Sequence, residues 1–418
     1  MCGFPGKSMP DTLFTDLNQR GLGGVLIFGY NIDNPGQLTG LTTQMKNVAL
    51  IPPFIAIDQE GGKVARLNQT NGYQKTPTAQ RLGTVLNNLD STAYYAALMA
   101  GWLKNAGINV NFAPVVDVNV NPNSPAIGAL ERSYSASPVI VHNHARTFVQ
   151  KMTEKKIIPA LKHFPGHGSA ANDSHLGFTD ISSSWSSNEL IPYQDFIQQG
   201  YQEMIMSGHL FHSDLDSVYP VSLSKNALTN LLRQQMGYTG LIVTDELFMG
   251  AISQNFPFDE MLVAAINAGN DILLFNTNIK NGTSLVDSIL NIVEQKIQQG
   301  HISINRIEES YQRIMQKKAE ITGSDEQNPL VASDFRLGNY PNPFNPETKI
   351  VITLPESGEF HITAYDITGT EVARIFNGYL QNGVHEFSFN GASLPSGTYF
   401  IRATGTGKTA LLKTVLLK

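Results

Sequence analysis

The sequence predicts an α/β barrel followed by a small β-sandwich, and three observations carry that expectation. Short apolar runs alternate with helix-patterned stretches over most of the chain; polar and acidic residues gather where those runs end; and the C-terminal part changes to short β-rich runs parted by Gly, Asn and Pro. Apolar residues make up 41% of the 418 positions and charged residues 15%, so both parts can bury a core.

The apolar runs lie at 23–29 (GGVLIFG), 53–58 (PFIAID), 108–118 (INVNFAPVVDV), 157–164 (IIPALKHF), 204–210 (MIMSGHL), 241–247 (LIVTDEL) and 271–275 (DILLF). Runs without polar alternation suit parallel strands covered on both faces. Between them, 93–105 and 142–154 repeat apolar residues at three- and four-residue spacing, as crossover helices do. Asp58, Asp117, Lys162 with His163, His209 and Asp245 all fall at strand ends. Functional groups supplied by many strand ends favour a closed TIM-like (β/α)8 barrel, with its site at the C-terminal rim, over an open doubly wound sheet. Seven strands are counted where eight close the ring, and residues 1–4 offer the only candidate for the other. The first strand is therefore expected to be truncated. A shortened start also accounts for the lack of a charged, then apolar, signal-peptide pattern.

After Lys317 and Lys318 the helical pattern stops at a polar, turn-rich stretch, 323–329 (GSDEQNP). Six or seven short strands follow, at 349–354, 359–365, 371–376, 385–389, 398–403 and 409–417, and suggest an antiparallel, Ig-like sandwich. The expected organisation is a barrel at 1–322, a linker at 323–337 and a sandwich at 338–418.

Several classes of function are disfavoured. A net charge of −6 without a basic stripe argues against nucleic acid as a partner. Cys2 is the single cysteine, so no intrachain disulfide framework exists. No run approaches the roughly 18 apolar residues that a membrane-spanning helix needs.

The densest chemical signal is 162–175, KHFPGHGSAANDSH, directly after a strand; it holds three histidines, a lysine, an aspartate and two glycines. Such a cluster is costly to bury, whereas a glycine-bordered loop can carry it over a barrel mouth. Asp173, two positions before His175, can hold one ring nitrogen and leave the other to exchange a proton. The rival readings are a solvent-exposed loop and a metal site. His163 and His167 have HxxxH spacing and His209 and His212 HxxH, but Pro165 and Gly166 forbid the helix that would put the first pair of rings on one face. No metal or cofactor is expected. Asp245, in LIVTDELFMGA, ends a strand, where its carboxylate can attack an anomeric carbon; capping the next helix is the bland alternative, and Glu246 is the competing carboxylate. Asp58 and Arg66 in DQEGGKVAR, with Arg132 in IGALERSYS, are residue types that bridge sugar hydroxyls, although a lone arginine is more often a surface ion pair.

Taken together, IDQEGGKVAR at 57–66, NFAPVVDV at 111–118, KHFPGHG with DSH at 162–175, and TDELFMGA at 244–251 resemble family 3 glycoside hydrolases, in particular their NagZ-like β-N-acetylglucosaminidase branch. The resemblance covers about residues 1–320. It implies Asp245 as nucleophile, His175 as acid/base and Asp173 as its partner, with Asp58, Arg66, Arg132, Lys162 and His163 on the terminal sugar. It implies a retaining exo-β-N-acetylglucosaminidase acting on β-GlcNAc oligosaccharides such as chitin oligomers or peptidoglycan fragments. Lys63 stands where that motif commonly has arginine, and the segment that leads into the first strand is missing. A phosphorylase of the same branch and a non-catalytic GlcNAc-binding protein are the alternatives.

YPNPFNPET at 340–348, AYDITGTEV at 364–372, SGTYFIRA at 396–403 and the terminal KTVLLK resemble type A sorting domains of type IX secretion. That resemblance implies export to the cell surface or medium, with secretion machinery as a partner. GTGKT at 405–409 mimics a phosphate loop, but Arg402 fills the place of its first glycine, so a hairpin turn is expected.

Overall fold

In the computed structural model, which describes residues 1–322 and 335–418, all seven expected runs join one parallel sheet in chain order. These strands are β1 (Gly24–Ile27), β2 (Phe54–Ile57), β3 (Val110–Asn111), β4 (Ile158–Phe164), β5 (Met204–Ser207), β6 (Leu241–Glu246) and β7 (Ile272–Leu274). Helices follow them on the outside, among them Pro35–Val48, Leu89–Asn105, Pro138–Thr153, Ile191–Gln198, Phe258–Ala268 and Leu285–Gln298.

The alternate residues of each strand explain the unbroken apolar runs. Phe54 with Ala56, Val110 with Phe112, Ile158 with Ala160, Met204 with Met206, Leu241 with Val243, and Ile272 with Leu274 pack together as one inner cluster. Their neighbours Ile55, Ile57, Leu161, Ile205 and Ile242 face the surrounding helices in separate clusters. Each fully buried aliphatic side chain contributes about 1.5–3 kcal/mol, so a polar replacement at any of these apolar positions is costly.

The gap between β7 and β1 is filled by the N-terminal residues. Cys2 forms parallel bridges to both Val25 and Phe275. Cys2 N–H donates to the Gly24 carbonyl at 3.2 Å, Gly3 N–H to Phe275 at 2.8 Å, and Leu26 N–H to Cys2 at 3.0 Å. The ring is thereby bridged at an eighth place, as the TIM-like barrel requires, by a segment too short to count as a strand. The expected 108–118 strand shrinks to Val110–Asn111, with an isolated bridge from Val115 to Lys162; the residues beyond it become a loop over the mouth.

By contacts the chain divides into Met1–Ile321 and Thr322–Lys418. Of the expected linker, residues 323–334 lie outside the described residues, while its end is already strand β8 (Arg336–Tyr340). The second unit adds β9 (Glu347–Leu354), β10 (Gly358–Tyr365), β11 (Glu371–Leu380), β12 (Gly383–Asn390), β13 (Gly397–Gly405) and β14 (Lys408–Leu416). They form antiparallel sheets ordered β8-β9-β12 and β11-β10-β13-β14. Ile350, Ile352, Phe360, Ile362, Ile401 and Ala403 fill the space between them. Thr406 and Gly407, both at positive φ, make the tight turn between β13 and β14, so GTGKT is a hairpin.

Candidate active site

Asp58, immediately after β2, and Lys162, in β4, meet at the C-terminal rim of the barrel. The Lys162 ammonium lies 2.8 Å from Asp58 Oδ1 and 2.7 Å from Glu60 Oε1. Arg132 grips Glu60 with two parallel bonds of 2.9 and 2.8 Å and donates to the Ala126 carbonyl at 2.8 Å. Arg66 completes the wall, 3.4 Å from Asp58 Oδ2. Burial works against the ionised Glu60 carboxyl, but Arg132 and Lys162 outweigh it and hold the group well below the usual carboxylate range. Two cations and two anions therefore lock one another in place.

His163 extends this wall. Its Nδ1 lies 2.8 Å from Asp117 Oδ2, whose other oxygen accepts from the backbone N–H of His163 and of His167 at 3.0 and 2.8 Å. A carboxylate only accepts, so Nδ1 carries the proton and Nε2 accepts from Arg132 at 3.3 Å. The next turn rests on buried Glu189, which accepts from Gly168 N–H at 2.9 Å. Burial pushes this carboxyl up to about 7. Burial, with His163 beside it, also holds the His167 ring down at about 4, so it stays neutral at physiological pH.

Past this anchored turn the loop opens. His175 is exposed, and its Nδ1 lies 2.7 Å from Asp173 Oδ1, which also accepts the His175 backbone N–H at 3.0 Å. Nδ1–H is thus committed to Asp173, and Nε2 has no hydrogen-bond partner among the described residues. Burial opposes ionisation of Asp173, but these bonds from His175 prevail and lower its carboxyl. The loop is tied to the segment after β6, for Gly250 N–H donates to the His175 carbonyl and Ala251 N–H to Ser174, each at 3.2 Å.

Asp245 stands on β6, half-buried, with Oδ1 accepting the Glu246 N–H at 2.8 Å. The helix that follows begins at Gly250 behind Met249, so Asp245 caps nothing. Burial alone would raise its carboxyl, yet the rings of His163, His209 and His175 around it hold it down at about 2. The backbone bonds from Gly250 and Ala251 bring the His175 loop against the segment that follows Asp245. Glu246 differs in kind. Its Oε1 accepts from the backbone N–H of Phe248 and Asn276, both at 3.0 Å, and burial pushes it up to about 7. Burial pulls the His209 ring below its ordinary value, against the pull of Asp245; its Nε2–H donates to the Glu246 carbonyl at 2.9 Å and its Nδ1 lies 2.7 Å from the Ser222 hydroxyl.

Every residue singled out from sequence reaches this mouth: Asp58, Arg66, Arg132, Lys162, His163, Asp173, His175 and Asp245. Arg132 is no surface pair, since its side chain is 9% exposed. Sequence reading gave no catalytic or sugar-binding role to Glu60, Asp117, Glu189 or His209. Asp117 and His209 carried the strand-end signal, Glu60 stood two residues from Asp58, and Glu189 had no local signal at all. No group of three or more metal-ligating His, Cys, Asp or Glu side chains occurs among the described residues.

Residues 5–317 match the family described as glycosyl hydrolase family 3 N terminal domain. The chain belongs to glycosyl hydrolase family 3. The β-hexosaminidase A of Pseudoalteromonas piscicida is 31% identical over 360 residues, covering 81% of this chain and 60% of that protein. The β-hexosaminidase of Tolumonas auensis is 34% identical over 278 residues, 65% of this chain and 80% of that protein. Among solved structures, a family 3 β-N-acetylglucosaminidase from Paenibacillus sp. strain FPU-7 superposes with a TM-score of 0.71 at 30% identity, over 77% of this chain and 61% of that one. The chain thus spans about three fifths of the length of two of these family 3 relatives. Residues 339–418 match the secretion system C-terminal sorting domain, outside the family 3 region.

Proposed function

We propose that the chain is a retaining exo-β-N-acetylglucosaminidase that removes terminal β-GlcNAc by double displacement. The observation that carries the reading is a strand-borne carboxylate, Asp245, next to a segment bonded through its backbone to the loop of His175, whose imidazole is held at one nitrogen by Asp173. Asp245 attacks C1 while protonated His175 gives its Nε2 proton to the leaving oxygen. A glycosyl-enzyme ester forms and the aglycone departs as an alcohol. His175, now neutral, takes a proton from water, whose oxygen attacks C1 and frees Asp245. Two inversions return the β-anomer.

Electrostatics favours Asp245 over Glu246 as nucleophile. At neutral pH Asp245 is fully ionised, whereas Glu246 is near half-protonation with its Oε1 already engaged by two backbone N–H groups. Asp58, Arg66, Arg132, Lys162 and His163 make the wall for the sugar hydroxyls and the acetamido group. The Glu60 bridge fixes Arg132 and Lys162 before substrate arrives, so little ordering entropy is left to lose. The natural substrates on this reading are chitin oligomers or peptidoglycan fragments. The same reading divides the chain into a barrel at 1–322, a linker at 323–337 and a sorting domain at 338–418 that directs export to the cell surface or medium.

Turnover of p-nitrophenyl β-GlcNAc, followed by NMR of the first anomer released, tests the reading. The β-anomer is expected, in phosphate-free buffer as in phosphate. An α-anomer, or a GlcNAc 1-phosphate product, overturns it.

A further inference from the structure

On the rim beside Arg66, an aromatic pair stands outside the site described above. Phe28 and Tyr30 follow β1 directly, and their rings stack at 5.2 Å between centroids with planes 12° apart. Phe28 is half-buried and packs against the inner barrel cluster. Tyr30 is 53% exposed, so the ring face turned away from Phe28 is open to solvent. Exposed tyrosines are common; one backed by a second ring at a barrel mouth is a prepared surface.

The turn that presents Tyr30 is held firmly. Asn31, fully buried, accepts the Phe28 N–H at 2.8 Å and donates to the Phe4 carbonyl at 3.0 Å. Its neighbour is the sugar wall: a methyl group added at Gly29 would lie 3.9 Å from Arg66 Cδ. Burial raises the Tyr30 hydroxyl, and the Arg66 charge, close enough to be felt, pulls it back. Arg66 reaches Asp58 at 3.4 Å, while its Nε is buried without a partner. The chain of contacts therefore runs from the terminal-sugar wall through Arg66 to an open aromatic face.

We infer that the Phe28–Tyr30 stack is a platform for a second pyranose ring, the one joined to the terminal sugar, so that the mouth selects GlcNAc oligomers over simple glycosides. A β-linked pyranose has axial C–H bonds on each face and hydroxyls around its edge. An aromatic plane takes the C–H face, and the Tyr30 hydroxyl and Arg66 lie where edge hydroxyls need partners. This inference rests on the glycosidase reading for the identity of the neighbouring sugar.

The test compares kcat/KM for the β-1,4-linked GlcNAc dimer and for methyl β-GlcNAc in the full chain, with Tyr30→Ala and Tyr30→Phe. Tyr30→Ala is expected to lower the dimer-to-methyl ratio about tenfold, the scale of a lost aromatic stack, through KM rather than kcat. Tyr30→Phe keeps the plane and is expected to keep the ratio within about twofold of wild type. A ratio unchanged in Tyr30→Ala overturns the platform while leaving the glycosidase standing. Should the wild type hydrolyse neither compound, the glycosidase reading falls, and calorimetry with the uncleaved dimer and with GlcNAc decides the platform. A dimer preference abolished by Tyr30→Ala then supports it; equal affinities for the two sugars in the wild type refute it.

Discussion

The charged wall of Asp58, Glu60, Arg132 and Lys162 and the Asp173–His175 pair border the same mouth, yet they are built in opposite ways. Lys162 and Glu60 are 2% and 5% exposed and bridge one another within a four-residue network. His175 is 59% exposed and leans on one aspartate two positions away. Groups that hold a substrate gain from being fixed and dry, because ordering is complete before binding and each ionic bond is less screened. A group that carries a proton to and from water gains from contact with solvent. On the proposed function the difference suits the wall to binding and the loop to proton transfer, and substitutions in each should fail differently.

The largest effect is expected from the residue that serves neither purpose. Asp245→Ala should lower kcat on p-nitrophenyl β-GlcNAc by at least about 10³-fold. Azide should restore turnover and yield the α-glycosyl azide, identified by NMR, since the small anion can occupy the vacated carboxylate space. His175→Ala comes next. It should cost about 10²–10⁴-fold on methyl β-GlcNAc, which needs protonation, and far less on a dinitrophenyl glycoside, which does not. Its thermal unfolding should match wild type, because little packing is lost from an exposed ring. Equal losses on both glycosides would contradict the proton-carrier role.

Glu60→Ala should fail in the other way. Removing the shared carboxylate leaves Lys162 and Arg132 short of a buried counter-charge, at about 3–5 kcal/mol of barrel stability, measured by urea unfolding of the full chain. KM should rise together with that loss. A stable Glu60→Ala protein would show that the wall is not locked by charge.

The smallest effect concerns Glu189 beneath the loop. Its carboxyl is raised from an ordinary 4.5 to about 7, so between those values the folded protein keeps a proton that the unfolded chain has released. Stability must therefore fall as pH rises from about 4.5 toward 7. Glu189→Gln, which cannot ionise, should flatten that part of the pH profile. An unaltered slope would mean that Glu189 takes no part in it. Asp245, lowered to about 2, works in the opposite sense, and its contribution is lost only as pH falls from about 4 toward 2.

Fold and mouth were legible in the sequence to different depths. Parallel strands buried on both faces leave unbroken apolar runs, so β1 to β7 stood out, and strand-end polar residues pointed to the rim. Residues 1–4 could be named as the missing strand by elimination, but the two-sided bridging of Cys2 is a long-range pairing with no local pattern. Asp173 and His175 were readable together because their contact is two residues long. Arg132 with Glu60 spans 72 positions and Lys162 with Asp58 spans 104, so the wall's internal bonding could not be read from spacing. Tyr30 gave no signal either, since an aromatic residue after a strand is ordinary until its open face is known.

Trapping the intermediate tests the central claim most directly. A 5-fluoro-GlcNAc fluoride, which forms the glycosyl-enzyme readily and releases it slowly, should add one sugar mass to the protein, and peptide sequencing should find it on Asp245. A sugar attached to Glu246, or an inverted product with no adduct, would contradict the account.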